Sequence, residues 1–221
     1  MGVSADTATP RPVRLDLAGF ALHGDLALPP DARGLVMFAH GSGSSRHSPR
    51  NRAVAERLQH GKFGTLLLDL LTEREDRTDA VTAEFRFDIP LLAGRLVGAI
   101  DWTRAHPQTS PLSIGLFGAS TGAAAALIAA AKRPAVVRAV VSRGGRPDLA
   151  EESLDVVAAP TLLIVGGRDD VVIELNRQAF ARLKEPKELQ IVPGATHLFE
   201  EPGALDRVSQ LAKEWFERHL G

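Results

Sequence analysis

The sequence predicts a single α/β domain: a mostly parallel β-sheet with helices on both faces. Three observations lead there. Short apolar runs recur along the chain, stretches with helical apolar spacing separate them, and an alternating hairpin precedes them all. Strands alternating with helices imply right-handed crossovers and a sheet covered on both sides.

Residues 1–12 are polar and proline-containing and read as a loose lead-in, so the domain is placed at 13–221. Val13 to Leu17 and Ala21 to Leu28 alternate apolar and polar side chains around a turn at Ala18-Gly19, the pattern of an antiparallel hairpin, and Pro29-Pro30 ends it. The following runs are apolar throughout, as strands buried on both faces must be. They are Leu35 to Ala39, Gly64 to Leu71, Leu112 to Phe117, Ala135 to Val141, Pro160 to Val165 and Glu188 to Val192. Between and after them, helices are predicted at Asn51 to His60, Ile89 to His106, Thr121 to Lys132, Glu174 to Leu183 and Pro202 to Leu220. In the last, Leu205, Val208, Leu211, Trp215 and Leu220 share one helical face. The charged stretch Thr72 to Thr82 reads as a solvated loop.

Composition narrows the function. The formal charge of -1 on 221 residues gives no sign of a polyanion such as nucleic acid as the main partner. The absence of cysteine excludes disulfides, thiolate zinc sites and a cysteine nucleophile. The N-terminal residues lack the apolar core of a signal peptide, and Asp6 stands where a myristoylation motif needs Ser or Thr. No apolar run is long enough to span a bilayer, so a cytoplasmic location is expected, with a small molecule as partner and the oligomeric state left open.

Gly118-Ala119-Ser120-Thr121-Gly122 matches G-x-S-x-G and lies between a buried run and an alanine-rich helix. That strand-turn-helix placement is what the motif's chemistry needs, because a nucleophile exposed on a sharp turn tolerates only small neighbours. A serine hydroxyl is a weak nucleophile until a base takes its proton. His197, in PGATHLF just after the last predicted strand, falls on the carboxyl edge of the sheet with Ser120. His60, His106 and His219 fall at predicted helix ends, His23 in the hairpin, and His40 and His47 in a separate loop. A carboxylate must orient the imidazole, and GGRDD offers two. Asp169, nearer the strand end, is preferred, with Asp170 left to cap the next helix or pair with an arginine. The oxyanion would be met by the backbone N–H of Thr121 and by a donor from the loop His40-Gly41-Ser42-Gly43-Ser44-Ser45, Ser42 before Gly43.

With these residues placed, the chain resembles the α/β-hydrolase superfamily and, within it, the dienelactone-hydrolase-like group. The segments FAHGSGSS, LFGASTGAAAAL, TLLIVGGRDDVV and VPGATHLF carry the resemblance, which extends from the hairpin to the last helix. It implies an eight-stranded sheet, a Ser120-Asp169-His197 triad at its carboxyl edge and neither cofactor nor metal. Family members acting on dienelactones use cysteine as nucleophile. Serine at position 120 points instead to ordinary carboxylic esters or thioesters, cleaved through an acyl-Ser120 intermediate. Only Ser142 to Ala159 separates two predicted strands where larger relatives insert a helical lid, so an open site for small or medium substrates is expected. The same triad would serve an acyltransferase, and the fold is also used for binding without catalysis.

Arginines follow several strand ends on the same edge: Arg46 and Arg50, Arg143 and Arg146, and Arg168. Arg46 and Arg143, with Gly43, are candidates for contact with the substrate, since a guanidinium fork matches a carboxylate or phosphate. The competing expectation is a solvated rim paired to Asp148, Asp170 or Glu73.

Overall fold

The computed structural model describes residues 8–184 and 186–220. The hairpin is β1 (Arg11–Leu17) and β2 (Phe20–Ala27), joined in antiparallel register through the turn at Ala18-Gly19. The strand therefore begins within the expected lead-in, and residues 1–7 of that lead-in lie outside the described residues. The chain continues through β3 (Leu35–Ala39), α1 (Pro49–His60), β4 (Gly64–Leu68), α2 (Glu73–Thr82) and α3 (Ile89–Ala105). It then forms β5 (Ile114–Ala119), α4 (Thr121–Lys132), β6 (Val137–Arg143) and a 3₁₀ stretch at Pro147–Asp155. The last elements are β7 (Thr161–Gly166), α5 (Asp170–Arg182), β8 (Lys187–Val192) and α6 (Ala204–His219).

The strands form one eight-stranded sheet in the order β1-β2-β4-β3-β5-β6-β7-β8. From β4 to β8 neighbouring strands run parallel, and only β2 and the edge strand β1 introduce antiparallel pairs. This is the expected fold class.

Side-chain alternation splits the core into two layers. Leu35, Met37 and Ala39 face one way, with α3, α4 and α5; Val36 and Phe38 face the other, with α1 and α6. On the second face Phe38 and Phe117 meet with ring centroids 4.9 Å apart, under Trp215 and Phe216 of α6. Helix α4 is the least ordinary element. Residues Ala123 to Leu127 are buried all round, because the helix is enclosed by β3, β5, β6, α3 and the 3₁₀ stretch. Alanine suits such a position, since its side chain has no rotamer freedom to lose and lets backbones approach closely.

One expectation fails here. The stretch read as a charged loop is α2. Thr72 Oγ1 accepts from the Glu75 N–H at 3.3 Å, and Glu75 Oε2 accepts from the Thr72 N–H at 2.8 Å. This reciprocal capping box starts a helix that hydrophobic periodicity cannot reveal, because the only buried residue in α2 is Asp79. Glu75 also pairs with Arg95 of α3 at 2.5 Å, tying the box to the core. Thr72→Ala should remove one of these caps and cost about 1 kcal/mol. For a chain of this size that is a fall in Tm of roughly 2–4 °C, readable by calorimetry.

Candidate active site

Ser120 sits at the junction of β5 and α4 with φ 51 and ψ -123, a left-handed conformation that a side-chain-bearing residue adopts only under constraint. The constraint is visible in the flanking glycines. A Cβ on Gly118 would lie 2.4 Å from Ala123 Cα, and one on Gly122 would lie 2.3 Å from the Ala39 carbonyl oxygen. Neither space admits a methyl group, so both motif glycines are required by packing. From β6, the Arg143 carbonyl accepts the Ser120 N–H at 3.2 Å and holds the turn in place.

His197 follows β8 and Asp169 follows β7, and the structure joins them: Nδ1 of His197 meets Asp169 Oδ2 at 2.6 Å. Asp169 also occupies the cap position of α5 but makes no side-chain cap bond, because its carboxylate is turned to the histidine. Asp170 is the first residue of the helix and is exposed, so its expected capping role is not seen. His197 is 38% exposed at its side chain and Asp169 17%, a pair open to solvent on the imidazole side. His197 packs against Gly144, the residue after β6, where a Cβ would be 3.6 Å from His197 Cε1. The Ser120 hydroxyl itself makes no hydrogen bond among the described residues, and His197 bonds to Asp169.

The loop after β3 packs directly on the turn: a Cβ on Gly41 would be 2.9 Å from Ser120 Cβ. Here the geometry adds something the sequence reading missed. The Ser42 N–H is already bonded, to Thr121 Oγ1 at 3.0 Å, and the two hydroxyls lie 3.3 Å apart. The Thr121 side chain must turn aside before Ser42 can donate to an oxyanion. The backbone N–H groups of Thr121 and Gly43 carry no bond among the described residues.

His40 anchors this loop. Its Nδ1 lies 2.9 Å from the Gly41 carbonyl, and its Nε2 accepts from the Leu70 N–H at 3.1 Å, an arrangement only the neutral ring satisfies. Burial pushes the His40 pKa down from 6.5, against the Gly41 carbonyl and the charges of Asp69 and Asp76. The unfolded chain therefore binds the proton more readily. Stability is full above about pH 6.5 and is lost as pH falls toward the lowered value in the fold. We expect Tm to decline across that window, and more gently in His40→Gln, whose amide oxygen still accepts from Leu70. His219, also held down by burial and then by the charge of Arg218, supplies part of the remaining slope.

The arginines divide. Arg46 is engaged by Asp69, through its side chain and through its N–H at 2.8 Å, and faces Asp25 at 3.6 Å. Any substrate anion would have to displace those carboxylates. Arg146 pairs with Asp148 at 2.7 Å, as the rim expectation held. Arg143 is different: it is 7% exposed and has no carboxylate partner among the described residues. A further arginine was not foreseen. Asp79 holds Arg86 through Nε at 2.7 Å and accepts the N–H groups of Phe85 and Arg86. Burial pushes the Asp79 carboxyl up, but those N–H groups and the guanidinium together hold it below its usual range. Arg86 Nη1 lies 3.5 Å from where a Cβ on Gly43 would stand, so the segment after α2 flanks the loop that follows β3. Between β6 and β7 the chain carries only the 3₁₀ stretch, so no helical lid stands there. Among the described residues no cluster of His, Asp and Glu could hold a metal ion, and no helix is long and apolar enough to cross a membrane.

Comparison with known proteins agrees with this architecture. The chain is 56% identical to a dienelactone hydrolase from Anabaena variabilis, with a TM-score of 0.96 over 97% of this chain and 99% of that one. An esterase from Pyrococcus furiosus shares the fold at 17% identity, with a TM-score of 0.77 over 97% of this chain and 92% of its own. A Mycobacterium tuberculosis protein, provisionally named a phosphoribosyl transferase, is 59% identical over 197 residues, which is 89% of this chain. The chain spans only 44% of that relative's length. The profile of the dienelactone hydrolase family matches residues 22–220, nearly the whole domain, and the chain belongs to that family.

Proposed function

We propose that this protein is a serine hydrolase that cleaves a small or medium carboxylic ester or thioester through an acyl-Ser120 intermediate. The observation that carries the reading is a juxtaposition. A serine in a strained left-handed turn at the end of β5 shares the carboxyl edge of the sheet with a 2.6 Å His197–Asp169 pair at the ends of β8 and β7. In this reading Nε2 of His197 takes the Ser120 proton as Oγ bonds to the substrate carbonyl carbon. The C=O electron pair moves to oxygen, where the Thr121 N–H, and Ser42 once released, donate to it. Collapse expels the alcohol or thiol, which leaves with the proton from His197. Water then repeats the sequence on the acyl-enzyme and regenerates the hydroxyl. Asp169 keeps Nδ1 protonated, so that Nε2 is the free base, and it stabilises the imidazolium.

The exposure of His197 favours water as the acyl acceptor over a bulkier alcohol, which supports hydrolysis rather than acyl transfer. The transferase name of the mycobacterial relative belongs to a chain more than twice as long, and we assign that activity to the part this chain does not span. The test is covalent labelling with a fluorophosphonate, followed by a panel of short-chain esters and thioesters. Stoichiometric labelling at Ser120 with turnover is the expected result. Folded protein that neither labels nor turns over any member would leave only a ligand-binding role for the site.

A further inference from the structure

Ser120, Asp169 and His197 come from three separate loops, and residues 143–146, at the end of β6, touch the surroundings of each. The Arg143 carbonyl accepts the Ser120 N–H at 3.2 Å, and the Ser120 carbonyl accepts the Arg146 N–H at 3.1 Å, so both backbone polar groups of the serine are bonded to this segment. Gly144, at φ 50, packs on the histidine loop: a Cβ there would lie 3.0 Å from the His197 carbonyl oxygen. Its N–H donates at 2.8 Å to the Ile164 carbonyl of β7, the strand that leads to Asp169. Gly145 is left between these anchors, and its carbonyl is held by a side chain from α5. Asn176 Nδ2 donates to it at 2.9 Å and to the Val172 carbonyl at 2.8 Å. Asn176 is fully buried, and its Oδ1 has no hydrogen-bond partner among the described residues.

As packing alone the arrangement is costly. A leucine fills the space of an asparagine without leaving a buried amide oxygen unmet. What the amide supplies and a leucine cannot is a tether for a segment with little stiffness of its own, since two adjacent glycines leave the backbone its widest freedom. The segment also has no room to be stiffened by larger residues: a Cβ on Gly145 would lie 2.6 Å from Ala123 Cβ. We propose that Asn176 is a positioning residue that, through the Gly145 carbonyl, holds residues 143–146 where they set the placement of Ser120 relative to His197. Asn176 touches no reacting atom. It matters because reactive geometry tolerates little slack: a displacement of about 1 Å between a nucleophile and its base can cost roughly a hundredfold in rate. The proposal rests on the hydrolase reading for the reaction, and on the hydrogen bonds of the segment for the placement.

The test separates the two bonds of Asn176. In Asn176→Ser the hydroxyl can still donate to the Val172 carbonyl one turn back, but it is too short to reach Gly145. Asn176→Leu loses both bonds. Steady-state hydrolysis of para-nitrophenyl butyrate and the rate of fluorophosphonate labelling are measured per folded molecule. We expect kcat and the labelling rate to fall roughly ten- to a hundredfold in Asn176→Ser, with KM moved by less than about twofold. A role confined to stability would lower Tm and leave both rates at their wild-type values, and that result would overturn the proposal. The second arm needs no activity. Backbone amide NMR shifts of Ser120 and His197 are expected to move in Asn176→Ser, together with those of the segment 143–146. Rates lost with the Ser120 and His197 shifts unmoved would overturn the proposal as well, because the effect would not run through the segment. If wild type neither labels nor hydrolyses an ester, the hydrolase reading fails by itself. The shifts then decide alone whether Asn176 places the serine and the histidine. Should Asn176→Leu not fold, Asn176→Ser carries both arms.

Discussion

Ser120→Ala should lower kcat on any short ester by a factor on the order of 10⁵ and abolish fluorophosphonate labelling, while leaving the protein folded. The expectation about folding is as specific as the one about rate. Because the Ser120 hydroxyl makes no hydrogen bond among the described residues, its removal strands no partner. The strained φ of 51 remains with alanine, so Tm should hardly move. Ser120→Gly should be as inactive, yet more stable by about 1 kcal/mol, because glycine adopts that φ without strain. His197→Ala should fall with Ser120→Ala, and the double variant should be little worse than either, since the two act as one unit. A folded Ser120→Ala that retains the wild-type rate would end the proposed chemistry.

The second large effect is at Asp169. Asp169→Asn keeps the size of the side chain but replaces an acceptor with an amide able to donate to Nδ1. The imidazole then carries its proton on Nε2, where it cannot receive one from Ser120. A loss of about 10⁴ in kcat is the expected scale for the wrong tautomer. KM should move little, because the carboxylate touches no substrate atom in this scheme. Asp170→Asn, one residue on and exposed, is the control and should behave as wild type. If the two variants were equally impaired, the 2.6 Å contact would not be the functional one.

How much of this was legible before the structure depends on the kind of interaction. Strands buried on both faces announce themselves as apolar runs, which is why Leu35 to Ala39 was bounded to the residue. Helix α4 was bounded equally well, since the G-x-S-x-G turn marks its start and Lys132 its end. The placement of Ser120, Asp169 and His197 on one edge followed from the same logic, because loops after β5, β7 and β8 must share one edge of a parallel sheet. Helix α2 was missed because it is held by its ends and not by an apolar stripe: the capping box and Asp79 do for it what core contacts do elsewhere. Asp79's clamp on Arg86 joins residues seven apart across a turn whose shape periodicity does not encode. The contact between Ser42 N–H and Thr121 Oγ1 spans 79 residues and depends on a side-chain rotamer, which no pattern in the chain reveals. The same limit applies to the arginines. Position on the edge was readable, but which guanidinium meets a carboxylate and which does not is decided by neighbours from distant elements.

The segment from Asp69 to Leu92, with α2 at its centre, leaves the sheet, turns beside the loop after β3 and returns without contributing Ser120, Asp169 or His197. Within it, α2 is held by its capping box, by the Asp79 clamp on Arg86 and by the Glu75–Arg95 pair, while Leu70, Leu71, Ile89 and Leu92 at its ends join the core. On the proposed reading, the residues that break the bond and this neighbouring wall belong to separate stretches of chain. In that reading, drift in the excursion would alter what reaches Ser120 while the turn that carries it, where Gly118 and Gly122 leave no space for a methyl group, stays as it is.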